Sequence, residues 1–242
     1  SGSHSASRRA KNAIEAAREQ AADLLGAARP LEVVFTGGGT EADNLAVLGA
    51  ALGGGGRRRI VTSAVEHEAV LESAAFAAKL GCEVTVVGVD RFGRVDPVEI
   101  GRACDDDTVV SLMAANNETG AIQPLAEVSR AIPPTARFHT DAVQAFISEP
   151  VTVAATGAGM VSLAAHKLGG PKGAGLLYVR DGIELEPVIH GGGQELRRRA
   201  GTENLPAAAG FVAVLSENIK TINLLRDQLE EELEDVAIFG RN

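Results

Sequence analysis

The sequence predicts an α/β fold of three layers, a mostly parallel sheet flanked by helices, formed as one large domain over residues 1–242. Three observations predict it. Short β-rich runs alternate with helical ones along nearly the whole chain. Most gaps between the β-rich runs hold a helix, and a helical crossover makes neighbouring strands parallel. No internal repeat or low-complexity linker divides the chain.

The elements follow in order. From residue 7 to 26, Ala10, Ala13, Ile14, Ala17, Ala21, Leu24 and Leu25 recur at helical spacing, and Gly26 stops the run. Strands are expected at 32–35, 59–63, 83–87, 108–113, 137–140, 159–164 and 174–180, and helices at 41–52, 66–80, 96–104 and 124–132. Asp96-Pro97-Val98-Glu99 signals a helix start, because it sets a cap, a first-turn proline and a reciprocal acid at the right offsets. The last two strands lie too close for a helical crossover, which points to an antiparallel hairpin. Residues 206–236 read as one long or two consecutive helices with Leu224, Leu225, Leu229 and Leu233 on one stripe, and 237–242 resembles the start of a further strand.

Composition excludes several classes. The chain is 45% hydrophobic and 23% charged, the signature of an ordinary soluble globular protein. Its net charge of -9, its 3% aromatic content and its lack of Trp argue against nucleic-acid binding; the dense basic runs are limited to Arg57–Arg59 and Arg197–Arg199. Cys82 and Cys104 have no metal-ligand spacing and read as structural, so no metal is expected. No apolar run has the length of a membrane span, and the N-terminus has no signal core, so a cytoplasmic protein is the default expectation.

The chemistry-bearing residues follow the strands. Thr36-Gly-Gly-Gly-Thr40 joins a strand to a helix, where backbone amides including those of Gly39 and Thr40 can face an anion; a tight turn is the bland alternative. His67 stands at a helix start, suited either to stacking on a flat cofactor or to plain capping. Asn116 and Asn117 are either cofactor or substrate donors or ordinary turn residues. His-Thr-Asp-Ala-Val-Gln (139–144) offers Asp141 and Gln144, and Ala-His-Lys-Leu-Gly-Gly-Pro-Lys-Gly (165–173) offers His166 and Lys167. All gather at the carboxyl edge of the predicted sheet, where open α/β folds bind ligands. An amine nucleophile paired with an acid suits pyridoxal 5'-phosphate, which needs a lysine for its aldehyde and a carboxylate for its ring nitrogen.

With Phe-Thr-Gly-Gly-Gly-Thr-Glu-Ala-Asp-Asn-Leu (35–45), Glu-His-Glu-Ala-Val (66–70), Asn-Asn-Glu-Thr-Gly (116–120), His-Gly-Gly-Gly-Gln-Glu (190–195) and Arg-Ala-Gly-Thr-Glu-Asn (199–204), these motifs resemble cysteine desulfurases of the NifS/IscS type. That family lies in the class V aminotransferase group of fold-type I PLP-dependent enzymes. The resemblance implies removal of sulfur from L-cysteine to give L-alanine and an enzyme persulfide, for iron-sulfur cluster or thio-cofactor synthesis. It implies that Lys167 holds PLP as a Schiff base, Asp141 pairs with the pyridinium nitrogen, Gln144 bonds the phenolic oxygen and His67 stacks on the ring. Asn117 is expected near that oxygen and the substrate, and Gly39, Thr40 and His166 on the phosphate. Thr202 is expected to reach the phosphate of a second copy, which implies a homodimer. Lys167 and His67 are the expected catalytic residues.

Two departures from the family pattern stand out. Family members commonly have Ser three residues before the Schiff-base lysine, where this chain has Ala164, leaving Ser162 or a water to compensate. The resemblance also implies that residues 206–242 lead toward a C-terminal small domain, with its sulfur-accepting cysteine and substrate-binding arginine, that the chain lacks. Ser1 to His4 then reads as native sequence cut after an N-terminal segment rather than as a tag. On this reading the chain is inactive in sulfur transfer, with an iron-sulfur scaffold or other sulfur acceptor as the partner of the whole enzyme. The alternatives are another class V enzyme, such as a selenocysteine lyase or an aminotransferase, and a truncated non-catalytic assembly module.

Overall fold

In the computed structural model, residues 5–56, 59–147 and 151–216, together with Gln228, are described. The expected stripe at Leu224, Leu225, Leu229 and Leu233, the strand start at 237–242, and Ser1 to His4 lie outside them.

A 7-stranded sheet runs through the molecule in the order β1-β7-β6-β5-β4-β2-β3. Its strands are β1 (Val33–Thr36), β2 (Arg59–Ser63), β3 (Glu83–Val87), β4 (Thr108–Met113), β5 (Arg137–Asp141), β6 (Met160–Ala164) and β7 (Gly175–Val179). The pairs from β6 through β5, β4 and β2 to β3 are parallel, and the β6–β7 pair is antiparallel, as the short link between them predicts. Less legible was the far edge, where β1 pairs antiparallel with β7. Two reversals leave β1 pointing the same way as β6, so the glycine turn after β1 opens at the same sheet edge as the ends of β5 and β6.

Strand alternation feeds two separate apolar layers. Val33, Phe35, Val110, Leu112, Phe138, Val161 and Leu163 face α1 (Ser5–Leu25), α5 (Pro97–Ala103), α6 (Leu125–Ala131) and α8 (Leu205–Leu215). Val34, Ile60, Val109, Met160 and Leu177 face the other way, onto α2 (Gly39–Asn44), the π turn Leu45–Gly49, α3 (Ala50–Leu52) and α4 (Glu68–Lys79). The three expected layers are therefore present. Asp96 caps α5 by accepting the Val98 amide at 2.8 Å, with Pro97 in the first turn. A short helix, α7 (Val153–Thr156), which was not expected from the sequence, is capped by Thr152 and ended by Gly157 in the left-handed region.

Among the described residues, α8 ends at Leu215, and its apolar residues Phe211, Val212 and Leu215 pack into the layer that holds α1. No helix among them is long and apolar enough to cross a membrane.

Candidate active site

Every chemistry-bearing segment leaves the sheet at one edge, and the close approach of two of them depends on glycine. A Cβ on Gly175 would lie 2.5 Å from the Gly38 carbonyl carbon, so only glycine at the start of β7 lets the turn after β1 seat there. A Cβ on Gly39 would meet Val143 Cγ2 at 2.8 Å. The turn is held from within by Thr36 Oγ1, which donates to the Gly38 carbonyl at 2.9 Å, and by the Gly37 amide, which donates to Glu41 Oε2 at 2.8 Å.

A cavity of about 990 Å³ opens at this edge, lined by Gly39, Thr40, His67, Asn117, Asp141, Gln144, His166 and Lys167 among others. Residues separated by more than a hundred positions thus meet around one space. Thr202 is placed elsewhere, in a neighbouring cavity of about 260 Å³ beside Arg199 and Glu195; Gly37 and Gly173 line both cavities.

His67 is a helix cap whose place at the cavity leaves room for the other role that the sequence left open. Its Nδ1 accepts the Ala69 amide at 3.0 Å, capping α4, while the exposed ring lines the cavity. The paired asparagines divide their work. Asn116 is turn chemistry: its Oδ1 accepts the amides of Glu118 and Thr119 at 2.9 and 2.8 Å, and its Nδ2 donates to the Val65 carbonyl at 2.9 Å. That last bond ties the loop to the turn carrying His67, and Asn117 is left exposed in the cavity.

Asp141 ends β5, and its Oδ1 accepts the Val143 amide at 2.9 Å, the tight turn that brings Gln144 to the cavity wall. Burial pushes its carboxyl up on balance, against the Val143 amide and the neighbouring His67 and Lys167, which pull it down. Lys167 stands on the 3-10 turn Ala165–Leu168 directly after β6, which pairs in parallel with β5. Gly169, at φ 78, closes that turn in a conformation that favours glycine. Lys167 and His166 are both exposed in the chain alone.

Ser162 is not free to replace the hydroxyl that the family pattern places at Ala164. It is fully buried, and its Oγ lies 2.9 Å from His139 Nε2. The sequence-based reading also passed over Asp43, Glu66 and His139, all buried close to the cavity. Glu66 Oε1 accepts the Ser63 hydroxyl at 2.5 Å, and burial raises its pKa to about 8. Burial lowers the pKa of His139 to about 3. Their signal was a polar residue in an otherwise apolar strand or motif, which periodicity alone ranks as noise. Neither cysteine lines the cavity: Cys82 is buried, and burial with Asp105 nearby raises the Cys104 pKa to about 11.

The aminotransferase class-V family model matches residues 1–236. The chain belongs to that family. Among curated relatives it is 45% identical over 233 residues to a cysteine desulfurase IscS of Methanosarcina thermophila, covering 92% of this chain and 57% of the relative. It is 42% identical over 251 residues to a cysteine desulfurase IscS of Dictyoglomus turgidum, covering 98% of this chain and 64% of that one. Of solved structures, DndA from Streptomyces lividans superposes with a TM-score of 0.83 at 35% identity, covering 98% of this chain and 71% of that one. A structure described as SspA in complex with cysteine gives a TM-score of 0.82 at 36% identity, covering 96% of this chain and 69% of that one. The chain spans less than two thirds of the length of these two curated relatives. The family likeness carries the fold-type I architecture of PLP-dependent enzymes with it.

Proposed function

We propose that this chain is the PLP-binding part of a cysteine desulfurase, acting on L-cysteine. The observation that carries the reading is the meeting of Lys167, Asp141, Gln144, His67 and the glycine turn in one cavity. The donor set suits the cofactor. A buried carboxyl under the influence of the Lys167 charge serves a ring nitrogen, and a side-chain-free approach at Gly39 serves a phosphate.

Bound PLP supplies an aldehyde for the amine of the substrate and a ring that accepts electrons from its α-carbon. Lys167 would hold the aldehyde through its amine, and the same amine would serve as the base that moves the proton at the α-carbon of the substrate. Asp141 holds a proton on the ring nitrogen. Gln144 and Asn117 orient the ring oxygen, the cap at α4 fixes the His67 imidazole for packing on the ring face, and Gly39, Thr40 and His166 bind the phosphate. Thr202, apart from the cavity of its own chain, serves that of a second copy in a homodimer.

Cys82 and Cys104 do not accept the sulfur, since both lie outside the cavity and a thiol with a pKa of about 11 is mostly protonated at neutral pH. The chain by itself therefore binds L-cysteine and transfers little sulfur. In the whole enzyme a thiol outside this chain takes the sulfur and passes it to an acceptor for iron-sulfur or thio-cofactor synthesis in the cytoplasm.

The test is to load the chain with PLP and titrate it with L-cysteine, L-selenocysteine, and L-alanine with pyruvate. The reading predicts that L-cysteine perturbs the cofactor absorption at the lowest concentration with little alanine released. Steady transamination of an amino acid with a keto acid contradicts it and supports an aminotransferase.

A further inference from the structure

The α2-facing side of the sheet carries several buried polar side chains, with Thr62 and Arg137 flanking a cluster on three adjacent strands. Ser111, His139 and Ser162 stand on the adjacent strands β4, β5 and β6, all fully buried. Ser111 Oγ lies 2.9 Å from His139 Nδ1, and His139 Nε2 lies 2.9 Å from Ser162 Oγ. Ser162 also neighbours Asp43, which reaches in from α2 and lines the cavity. Asp43 is 2% exposed, its Oδ1 is buried without a hydrogen-bond partner, and it lies 3.7 Å from His139 Nε2.

The direction of the chain of hydrogen bonds decides where one proton resides. A neutral imidazole has one N–H and one lone pair, and a serine hydroxyl has one proton to give. If His139 Nε2 donates to Ser162, the Ser162 hydroxyl donates to an Asp43 carboxylate. That anion is buried, has one oxygen unpartnered and lies near a second carboxyl, Asp141. If instead Nδ1 donates to Ser111, Ser162 spends its proton on Nε2 and has none for Asp43, which as a neutral acid can itself donate to Ser162. The first direction incurs the cost of an unpaired buried charge, and the second does not.

The groups facing Asp43 reinforce the second direction. They are Asp141 on β5, Glu66 at the start of α4, and His139, whose burial keeps it neutral at physiological pH. Burial, first, and then the Asp141 charge push the Asp43 carboxyl well up, with Glu66 adding to the rise and Ser162 opposing it. Burial pushes Asp141 up as well, but the Val143 amide and the neighbouring His67 and Lys167 pull it back toward its ionised form.

We infer that Asp43 is a positioning residue of the cavity, a neutral carboxylic acid whose proton closes the buried chain Ser111–His139–Ser162–Asp43 and leaves Asp141 as the charged carboxylate of the pair. The inference rests on the proposed PLP site for its consequence, since a single anion then faces the ring nitrogen, though not for its premise.

Infrared difference spectroscopy tests the premise on the chain without added cofactor. At pH 6.5 the chain labelled with [13C-carboxyl]aspartate is expected to show an isotope-shifted neutral-carboxyl band that survives Asp141→Asn and disappears in Asp43→Asn. No shifted band in the labelled wild-type chain overturns the inference without any substitution, and so does loss of the band in Asp141→Asn alone. With PLP bound, the pH midpoint of the cofactor–Lys167 absorption band in Asp43→Asn is expected within about 0.3 of the wild type, whereas a fall of about one unit or more marks the loss of an anion and overturns it. A wild-type chain that forms no such absorption band defeats the PLP reading instead, and the infrared result still decides the state of Asp43.

Discussion

Arg199 Nε donates to Glu41 Oε1 at 2.7 Å, and Arg199 Nη2 donates to Glu41 Oε2 at 3.2 Å, the same oxygen that accepts the Gly37 amide. One carboxylate thus links the neighbouring cavity, which holds Thr202, to the glycine turn of the main cavity. Glu41→Ala removes an acceptor from both the amide and the guanidinium. We predict a loss of stability of about 1–3 kcal/mol and weaker cofactor binding, checked by urea unfolding and by fluorescence titration with PLP.

Asp141 is an acid pushed up by burial and pulled back by the Val143 amide and the neighbouring His67 and Lys167. Its replacement by Asn keeps the size and the turn but removes the charge for the ring nitrogen. PLP affinity is predicted to fall by about 10- to 100-fold, the range for a hydrogen bond to a charged group, with the fold retained by circular dichroism.

The buried titratable groups impose a pH profile on stability. Glu66 has a folded pKa of about 8, raised from 4.5, so its contribution is fully present below pH 4.5 and is lost as pH rises toward 8. His139 has a folded pKa of about 3, lowered from 6.5, so its contribution is lost as pH falls from 6.5 toward 3. The two slopes oppose each other between pH 4.5 and 6.5, and above that Glu66 acts in the same direction as Asp43, whose carboxyl burial also pushes up. Glu66→Gln is predicted to flatten that upper arm by at most about 1.4 kcal/mol per pH unit, measured by denaturant unfolding at stepped pH. An unchanged slope between wild type and variant contradicts the placement of Glu66 as a buried, protonated group.

Arg18 and Glu195 form a bidentate pair at 2.6 and 3.0 Å with both side chains nearly inaccessible, and Glu195 Oε2 also accepts the Phe35 amide at 3.1 Å. The pair anchors the loop in which Glu195, Leu196 and Arg197 hold φ values of 43, 57 and 66, a region costly for residues other than glycine. Arg18→Met leaves a buried carboxylate unpaired and is predicted to destabilise by about 3–5 kcal/mol. Adding Glu195→Gln to it recovers part of the loss, which a double-mutant cycle measures.

Ala164 is 1% exposed, and a Cβ built on Gly39 would lie 3.5 Å from its methyl group. Since Ser162 is bound to His139, no nearby hydroxyl of β6 replaces the one the family pattern puts here. Ala164→Ser is predicted to tighten PLP binding by about threefold to tenfold, the worth of one hydrogen bond, with little change in melting temperature.

The legible parts of this protein were those with local signals. Asp96-Pro97 announced α5, alternation announced the strands, and the glycine turn announced itself by composition. The antiparallel pairing of β1 with β7 was hidden because it joins Thr36 to Gly175, and no local pattern reports a partner so distant. Asp43 and His139 fell within quoted motifs yet went unread, because their meaning lies in Ser111 and Ser162 on adjacent strands. For His67, the cap is present and the residue also lines the cavity, so capping does not compete with the stacking role that the sequence set against it.

The most direct measurement of the central claim is borohydride reduction of the PLP-treated chain followed by peptide mapping. Lys172 lines the same cavity as Lys167 and serves as an internal control. The account predicts one cofactor adduct, on Lys167, that is lost in Lys167→Ala. An adduct on Lys172, or no adduct on a correctly folded chain, contradicts it.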